Sequence, residues 1–336
     1  MYQVLDYNSI DKFLWDKFIS DSSYGWLHHT SDFMKMNQHL GENKSFAIMN
    51  GNEILAIYVL YGNFRCKKKL FGLVEKRRGS LFSIGGFCIK DDLSKKQFKK
   101  VTSLFKETID NMVSKYGIKS FNTMMLYAPA LLPKKTNWLV NPLIFWGQEN
   151  IDVPYSLVDL ENTNEDDIYK NCSETTRQEI KKISNDENYN IRVANPSEED
   201  LCIYYNLHKK TYKRTNAEVF PLSYFQELFF NLLKKDYCRI LFLEYKNKVI
   251  ASNIFVKYKG LEFYLANASE DEKSNGVNKF LVYKQLTMAL KENAKSSCIG
   301  GSRIYLRSGK LKGLAEFKTS FGGSIYTNYD GKYILK

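Results

Sequence analysis

Two stretches of this chain, 195 residues apart, repeat one pattern, and a repeat at such a period constrains the fold more than any single motif. Residues 46–60 read FAIMNGNEILAIYVL and residues 240–255 read ILFLEYKNKVIASNIF: an apolar run, a polar turn, a second apolar run. At this offset Asn52 falls on Asn247 and Ala56 on Ala251. Both stretches read as β-hairpins, turning at Asn50-Gly51-Asn52 and Lys246-Asn247-Lys248.

The flanks repeat as well. Two helical patterns precede each hairpin, at 10–18 and 31–40 in the first half and at 198–213 and 222–234 in the second. A strand follows each hairpin, at 79–87 and at 261–268. A long amphipathic helix comes next: Phe98, Val101, Phe105, Ile109 and Met112 share one face, as Val277, Phe280, Leu281, Leu286, Ala289 and Leu290 nearly do. A closing strand ends each unit, at 120–127 and 298–305. The order α-α-β-β-β-α-β is therefore expected twice, in an α/β chain with a mixed sheet.

At 336 residues the chain can bury two cores, and with only 6 prolines and no low-complexity stretch it offers no long linker. Two closely packed domains are expected, at 1–153 (completed by 322–336) and 154–321. The longest apolar stretch, Ile54 to Tyr61, is far short of the roughly 20 residues of a membrane span. The start, MYQVLDYNSIDKF, lacks the build of a signal peptide. Cysteines at 66, 88, 172, 202, 238 and 298 show no paired spacing, as in reduced cytoplasmic proteins. The net charge of +12 favours anionic partners: phosphorylated cofactors, nucleic acid or an acidic membrane surface.

Lys273-Ser274-Asn275-Gly276-Val277-Asn278 opens the second long helix. Backbone N–H groups at a helix start suit a pyrophosphate, Gly276 would let the backbone approach it, and Lys273 would add charge. The same residues also read as an ordinary polar helix cap. The corresponding place in the first half runs Gly85-Gly86-Phe87-Cys88-Ile89-Lys90-Asp91-Asp92, whose two acids would repel a pyrophosphate.

The repeated order and this loop resemble the GNAT acyltransferase fold and its Q/R-x-x-G-x-G/A motif, with Lys first and Asn last here. Four further stretches resemble the FemABX family of tandem GNAT proteins: Gly300-Gly301 … Gly309 … Phe317-Lys318 … Phe321-Gly322-Gly323, Thr176-Arg177 … Ile180-Lys181-Lys182, Thr211-Tyr212-Lys213-Arg214 … Phe220-Pro221 … Tyr224-Phe225, and His29-Thr30-Ser31-Asp32-Phe33-Met34-Lys35. The resemblance covers nearly the whole chain. It implies two tandem GNAT-like domains, the donor site in the second. Among such proteins the chain is similar to N-acyltransferases of dTDP-linked 3-amino-3,6-dideoxyhexoses. That implies acyl-CoA as co-substrate, no metal, and an amino-sugar acceptor for a surface glycan such as a lipopolysaccharide O-antigen. A monomer would suffice.

The resemblance also implies roles. Lys273, Ser274, Asn275, Gly276, Val277 and Asn278 would bind coenzyme A, with Leu265 and Ala266 of the preceding strand. Lys318 and Asn267 would lie at the reacting carbonyl, and His29 and Asp32 are candidate bases. Lys35, Arg177, Arg214 and Tyr264 would contact the acceptor. Tyr283 and Tyr305 are candidate acids for the leaving thiolate. The histidines at 28, 29, 39 and 208 have no metal-like spacing. The alternative is a tRNA-dependent aminoacyltransferase acting on a UDP-linked peptidoglycan precursor. A third reading is a non-catalytic nucleic-acid-binding protein.

Overall fold

The computed structural model describes residues 1–69, 74–125, 141–270, 276–301 and 309–333. It divides into two compact units: Met1–Val153 with Thr327–Lys336, and Pro154–Tyr326.

The first unit runs β1 (Tyr2–Asp6), α1 (Lys12–Asp21), α2 (Ser31–Asn37), β2 (Glu42–Asn43), β3 (Phe46–Asn50), β4 (Glu53–Tyr58), β5 (Tyr61–Lys69), β6 (Val74–Ile84), β7 (Phe87–Ile89), α3 (Lys95–Tyr116) and β8 (Ile118–Met125). β1, β3, β4 and β7 form one antiparallel sheet. β2, β5, β6 and β8 form a second, with β6 parallel to β8. The α3 helix begins in a capping box between Ser94 and Gln97, buries Val101, Phe105 and Ile109, and ends at Gly117 in the left-handed region. The expected strand 79–87 is broken in two. Gly85 and Gly86 both have positive φ there, so the chain leaves β8 and pairs with β4 as β7.

The chain continues through β9 (Gln148–Asp159) into the second unit: α4 (Glu165–Asn171), α5 (Glu174–Ser184), β10 (Tyr189–Val193), α6 (Glu198–Arg214), α7 (Leu222–Glu227), β11 (Cys238–Tyr245), β12 (Lys248–Tyr258), β13 (Leu261–Ser269), α8 (Val277–Lys291), β14 (Ser296–Gly301), α9 (Lys310–Thr319) and β15 (Ser324–Tyr333). The far part of β15 pairs with β8. The strands order as β10-β11-β12-β13-β14-β9, with only the β13–β14 pair parallel. The α7 helix runs on into a π-helical segment, Leu228–Leu233. β9, α4, α5 and β10 have no counterpart in the expected order.

Both expected hairpins form, and they share more than their order. Each has a two-residue turn, with Gly51 in one and Lys246 and Asn247 in the other at positive φ. Each carries a β-bulge at one and the same place. Ile48 faces Ala56 and Met49 faces Ile54, while Leu243 faces Ala251 and Glu244 faces Val249. The offset of 195 residues found in the sequence maps these pairs onto each other.

The α8 helix differs from expectation. Its apolar residues pack against α5 and α4, but Tyr283, Gln285 and Thr287 are buried too, so it is a core helix rather than an amphipathic one.

Candidate active site

β13 and β14 part company early. Parallel rungs join Leu261 to Ser296, Glu262 to Ser297 and Phe263 to Cys298, and no further rung joins the two strands among the described residues. β13 nevertheless runs on to Ser269, paired among the described residues with β12 alone. Its register with β12 slips at the same point: Ile254 faces Ala266 and Phe255 faces Tyr264, so Leu265 is an extra, bulged residue. β13 and β14 thus diverge as a wedge, the kind of strand edge whose N–H groups would suit an extended ligand or a developing oxyanion.

The opposite side of the wedge is β14 and α9. Gly300 has φ +96°, and a Cβ there would lie 3.1 Å from the Lys318 ammonium. Lys318 reaches back from α9 to donate to the Gly301 carbonyl at 2.7 Å. Burial pulls the Lys318 pKa below that of a solvated lysine. Burial pushes the Cys298 thiol up to about 12, against the opposing pull of the Gly300 N–H and the Lys318 charge. Phe317 packs near Tyr264, ring centroids 6.2 Å apart, and edge-on against Phe321. The structure therefore sets Tyr264 near Phe317, the neighbour of Lys318, while Leu265, Ala266 and Asn267 follow Tyr264 along β13.

Among the described residues the buried Tyr264 hydroxyl has no hydrogen-bond partner. Nor has the whole carboxamide of Asn253, a residue only 1% exposed that faces Asn267 in the ladder. An unpaired buried amide costs about 1–3 kcal/mol, so it is costly unless something else satisfies it. Sequence reading missed Asn253. The repeat held one signal for it: at the offset of 195 residues its counterpart is Tyr58, a hydrogen-bonded core residue.

The start of α8 is less open than expected. Gly276 is in the left-handed region at φ +87°, but a Cβ there would lie 2.7 Å from the Glu179 Cβ. The glycine thus admits the close approach of α5. Glu179 is itself ion-paired with Lys279 in the first turn of α8, at 2.9 Å. Val277, expected to contact the cofactor, is 1% exposed and packs into the core, leaving only its backbone for a ligand. Among the described residues the buried Asn278 side-chain oxygen has no hydrogen-bond partner. Lys273, Ser274, Asn275 and Tyr305 lie outside the described residues.

Other expected site residues have partners within the fold. Arg177 donates through one guanidinium nitrogen to the carbonyls of Lys170 (2.9 Å) and Cys172, which caps the end of α4. Arg214 donates to the carbonyls of Ser269 (3.1 Å) and Glu270 (3.0 Å), which ties α6 to the end of β13. His29 is fully buried in the first unit. Its Nδ1 accepts from the Trp26 N–H at 3.1 Å, so its Nε2 carries the proton donated to the Gly85 carbonyl at 3.0 Å. Both ring nitrogens of His29 are thus engaged within the first unit. Tyr283 is 8% exposed, and burial lifts its hydroxyl up to about 12. Asp32 is half-buried in the first turn of α2, and Lys35 is exposed on the same helix. Asp91 and Asp92 do not stand in the first turn of α3. Asp91 accepts from the Ser23 N–H and hydroxyl, and Asp92 pairs with Lys90.

Among the described residues no group of three His, Cys, Asp or Glu is arranged to hold a metal, and no helix is long and apolar enough to cross a membrane.

Comparison with known proteins fits this geometry. Residues 170–302 match the family model for the Acetyltransferase (GNAT) domain. No curated protein matches the sequence. Among solved structures the fold is similar to that of FemX, at 13% identity and a TM-score of 0.70 over 99% of this chain and 97% of that one. It is similar too to the C-terminal domain of a putative lysylphosphatidylglycerol synthetase from Agrobacterium fabrum (13%, 0.61, 98% and 93%). A tandem GNAT protein from the clavulanic acid biosynthesis pathway shares the fold as well (7%, 0.57, 99% and 98%). The fold is that of tandem GNAT proteins, and residues 170–302 carry a GNAT-type acyltransferase domain.

Proposed function

We propose that this GNAT acyltransferase takes an acyl group from acyl-coenzyme A held along β13. It passes that group to the amine of a nucleotide-linked amino sugar, of the dTDP type, for surface-glycan synthesis in the cytoplasm. The observation that carries the reading is the early parting of β13 from β14, with the bulge at Leu265 beside it. An extended thioester arm fits such a strand edge, and its carbonyl would meet N–H groups already fixed in place.

In this reading the neutral amine attacks the thioester carbonyl directly, the C–N bond forms as the C–S bond breaks, and the amine's proton passes, through a base or water, to the departing coenzyme A thiolate. Holding the two reactants in line supplies much of the rate. Tyr264, Leu265, Ala266 and Asn267 line the donor, and Lys318 places its charge at the mouth of the wedge. Lys273 and the start of α8 serve the pyrophosphate, with Lys279 near them. Asp32 and Lys35 are the residues of the first unit to test as base and as diphosphate contact.

One observation favours a second reading, aminoacyl-tRNA as donor and a UDP-linked peptidoglycan precursor as acceptor. The Glu179 side chain lies against Gly276, where the coenzyme A reading needs an anion. Substitution of Gly276 cannot separate the two, because any side chain there strikes Glu179 whatever the donor. Glu179→Ala does separate them. Calorimetry with coenzyme A is expected to give micromolar binding that tightens in the variant. Absence of binding at millimolar coenzyme A in both proteins would remove the first reading and leave the second.

A further inference from the structure

Three buried polar side chains meet where β13 and β14 are still joined. Arg239 of β11 is 4% exposed, Glu262 of β13 is 1% exposed, and Gln285 of α8 is fully buried. Arg239 donates to one Glu262 oxygen at 3.2 Å, and the Gln285 amide donates to the other at 3.1 Å. The brace widens from there. Arg239 also pairs with Glu292 at the end of α8. Lys257, the ladder partner of Glu262 in β12, pairs with the same Glu292 at 3.2 Å. Three neighbouring strands and one helix are thus tied through a single buried carboxylate and the groups around it. Burial pushes the Glu262 carboxyl up, against the pull of Arg239 and of the Gln285 amide.

Glu262 holds the middle of the three parallel rungs between β13 and β14, opposite Ser297. One rung further, at Phe263 and Cys298, the pairing among the described residues ends. Gln285 lies about two turns into the helix that follows β13. The brace therefore grips both the junction of the two strands and the helix that begins beyond their opening.

The first unit shows that a parallel junction does not require such a brace. There Leu81 of β6 stands opposite Phe121 of β8, both buried, and the ladder runs through six rungs. A buried ion pair is also a poor source of stability, because desolvating two charges offsets most of their attraction. Apolar residues of similar volume often serve as well or better. Directional bonds in a low dielectric supply something that apolar contacts do not, a single fixed geometry. A junction of three rungs that opens at once into two diverging strands is where fixed geometry counts most.

We propose that Arg239, Glu262 and Gln285 are positioning residues for the donor site: they fix the junction from which β13 and β14 diverge, and with it the strand edge on which an acyl donor lies. The service to a donor rests on the function proposed above, whereas the bracing of the junction does not.

The triple variant Arg239→Met, Glu262→Met, Gln285→Met keeps side chains of similar length and removes their polar atoms. Its urea midpoint is expected to equal or exceed that of the wild type. Hydrogen exchange in the peptides spanning 261–267 and 296–301 is nevertheless expected to be at least roughly tenfold faster, through local opening of the junction. Calorimetry is expected to show coenzyme A bound about tenfold more weakly, as a pre-organised edge is lost. Glu262→Gln, which keeps the shape and removes the charge, is expected to shift exchange and affinity in the same directions. Exchange at the wild-type rate in both peptides would overturn the proposal, as would unchanged affinity for coenzyme A in the triple variant. A triple variant that does not fold overturns it too, since the brace would then carry the fold rather than the site. If the wild type itself binds no coenzyme A at millimolar concentration, the acyl-coenzyme A reading falls and the exchange rates alone judge the brace.

Discussion

Tyr58 and Asn253 occupy one place in two copies of one hairpin, and their surroundings show how a shared framework comes to serve different ends. In the first unit the Tyr58 hydroxyl meets the Thr123 hydroxyl at 3.0 Å and accepts from the Gln148 amide at 3.1 Å. Around it Phe46, Phe87, Phe105 and Phe121 close an aromatic core. The parallel ladder there, β6 with β8, runs through six rungs to Ile84↔Met124. Where it ends, the backbone edge is taken up: the Gly85 N–H goes to Met124, the Gly85 carbonyl to His29, and the Gly86 N–H to Ser83. In the second unit the ladder stops after three rungs, and the carboxamide of Asn253 has no partner. A strand edge becomes a candidate binding surface when the side chains that would otherwise cap it are missing. The first unit spends His29 and Ser83 on that task.

The comparison breaks first at its aromatic end. Tyr58→Ala should destabilise the first unit by about 3–5 kcal/mol, as expected for a fully buried aromatic side chain. Asn253→Leu should leave stability unchanged or raised, since it removes an unpaired buried amide. It should also weaken donor binding. Urea titrations of both variants, with donor KM for the second, check the contrast; an Asn253→Leu protein as unstable as Tyr58→Ala would mean that the amide is satisfied after all.

Acid should strike the second unit through His208. Burial lowers the pKa of this 1% exposed imidazole from 6.5 to about 4. The unfolded chain therefore binds the proton first as pH falls. Stability is fully present above pH 6.5 and is lost progressively down to about pH 4, by roughly 3 kcal/mol from this group. His208→Phe should flatten that part of the stability–pH curve. An unaltered slope would show that other groups carry it.

Lys318 and His29 separate chemistry from packing. Lys318→Ala is expected to lower kcat/KM about 100-fold in a folded protein, the scale of losing one electrostatic group at a reacting carbonyl. His29→Gln should lower stability by about 1–3 kcal/mol, through its two buried hydrogen bonds, with kcat of the folded protein unchanged. A kcat loss in His29→Gln would restore that residue to the reaction. The smallest effect belongs to Arg177→Ala, which should fray α4 at a cost of about 1 kcal/mol and leave acceptor KM where it was. A raised KM would return Arg177 to the acceptor site.

Periodicity made both hairpins legible, together with the two long helices and the strands beside them, because each buries a face whose spacing is written in the chain. The repeat carried further than its reading suggested, since an offset found from letter patterns also aligns two β-bulges. Helix starts were less legible. Gly276 reads as a phosphate-loop glycine in sequence, and nothing local to it announces that Glu179, nearly a hundred positions earlier, fills the space beside its Cα. Arg177 looks like an available cation until α4 folds its last carbonyls onto it. His29 looks like a base until Gly85, 56 residues away, accepts its proton in a hydrogen bond.

By itself, then, the sequence determined the class of fold and its duplication, both consequences of short-range pattern and turn chemistry. The tertiary structure alone decided which backbone edge stays open and which polar side chains are already engaged. Hydrogen-bond partners in a folded chain are chosen by proximity in space, and a linear pattern of residue types does not encode that distance.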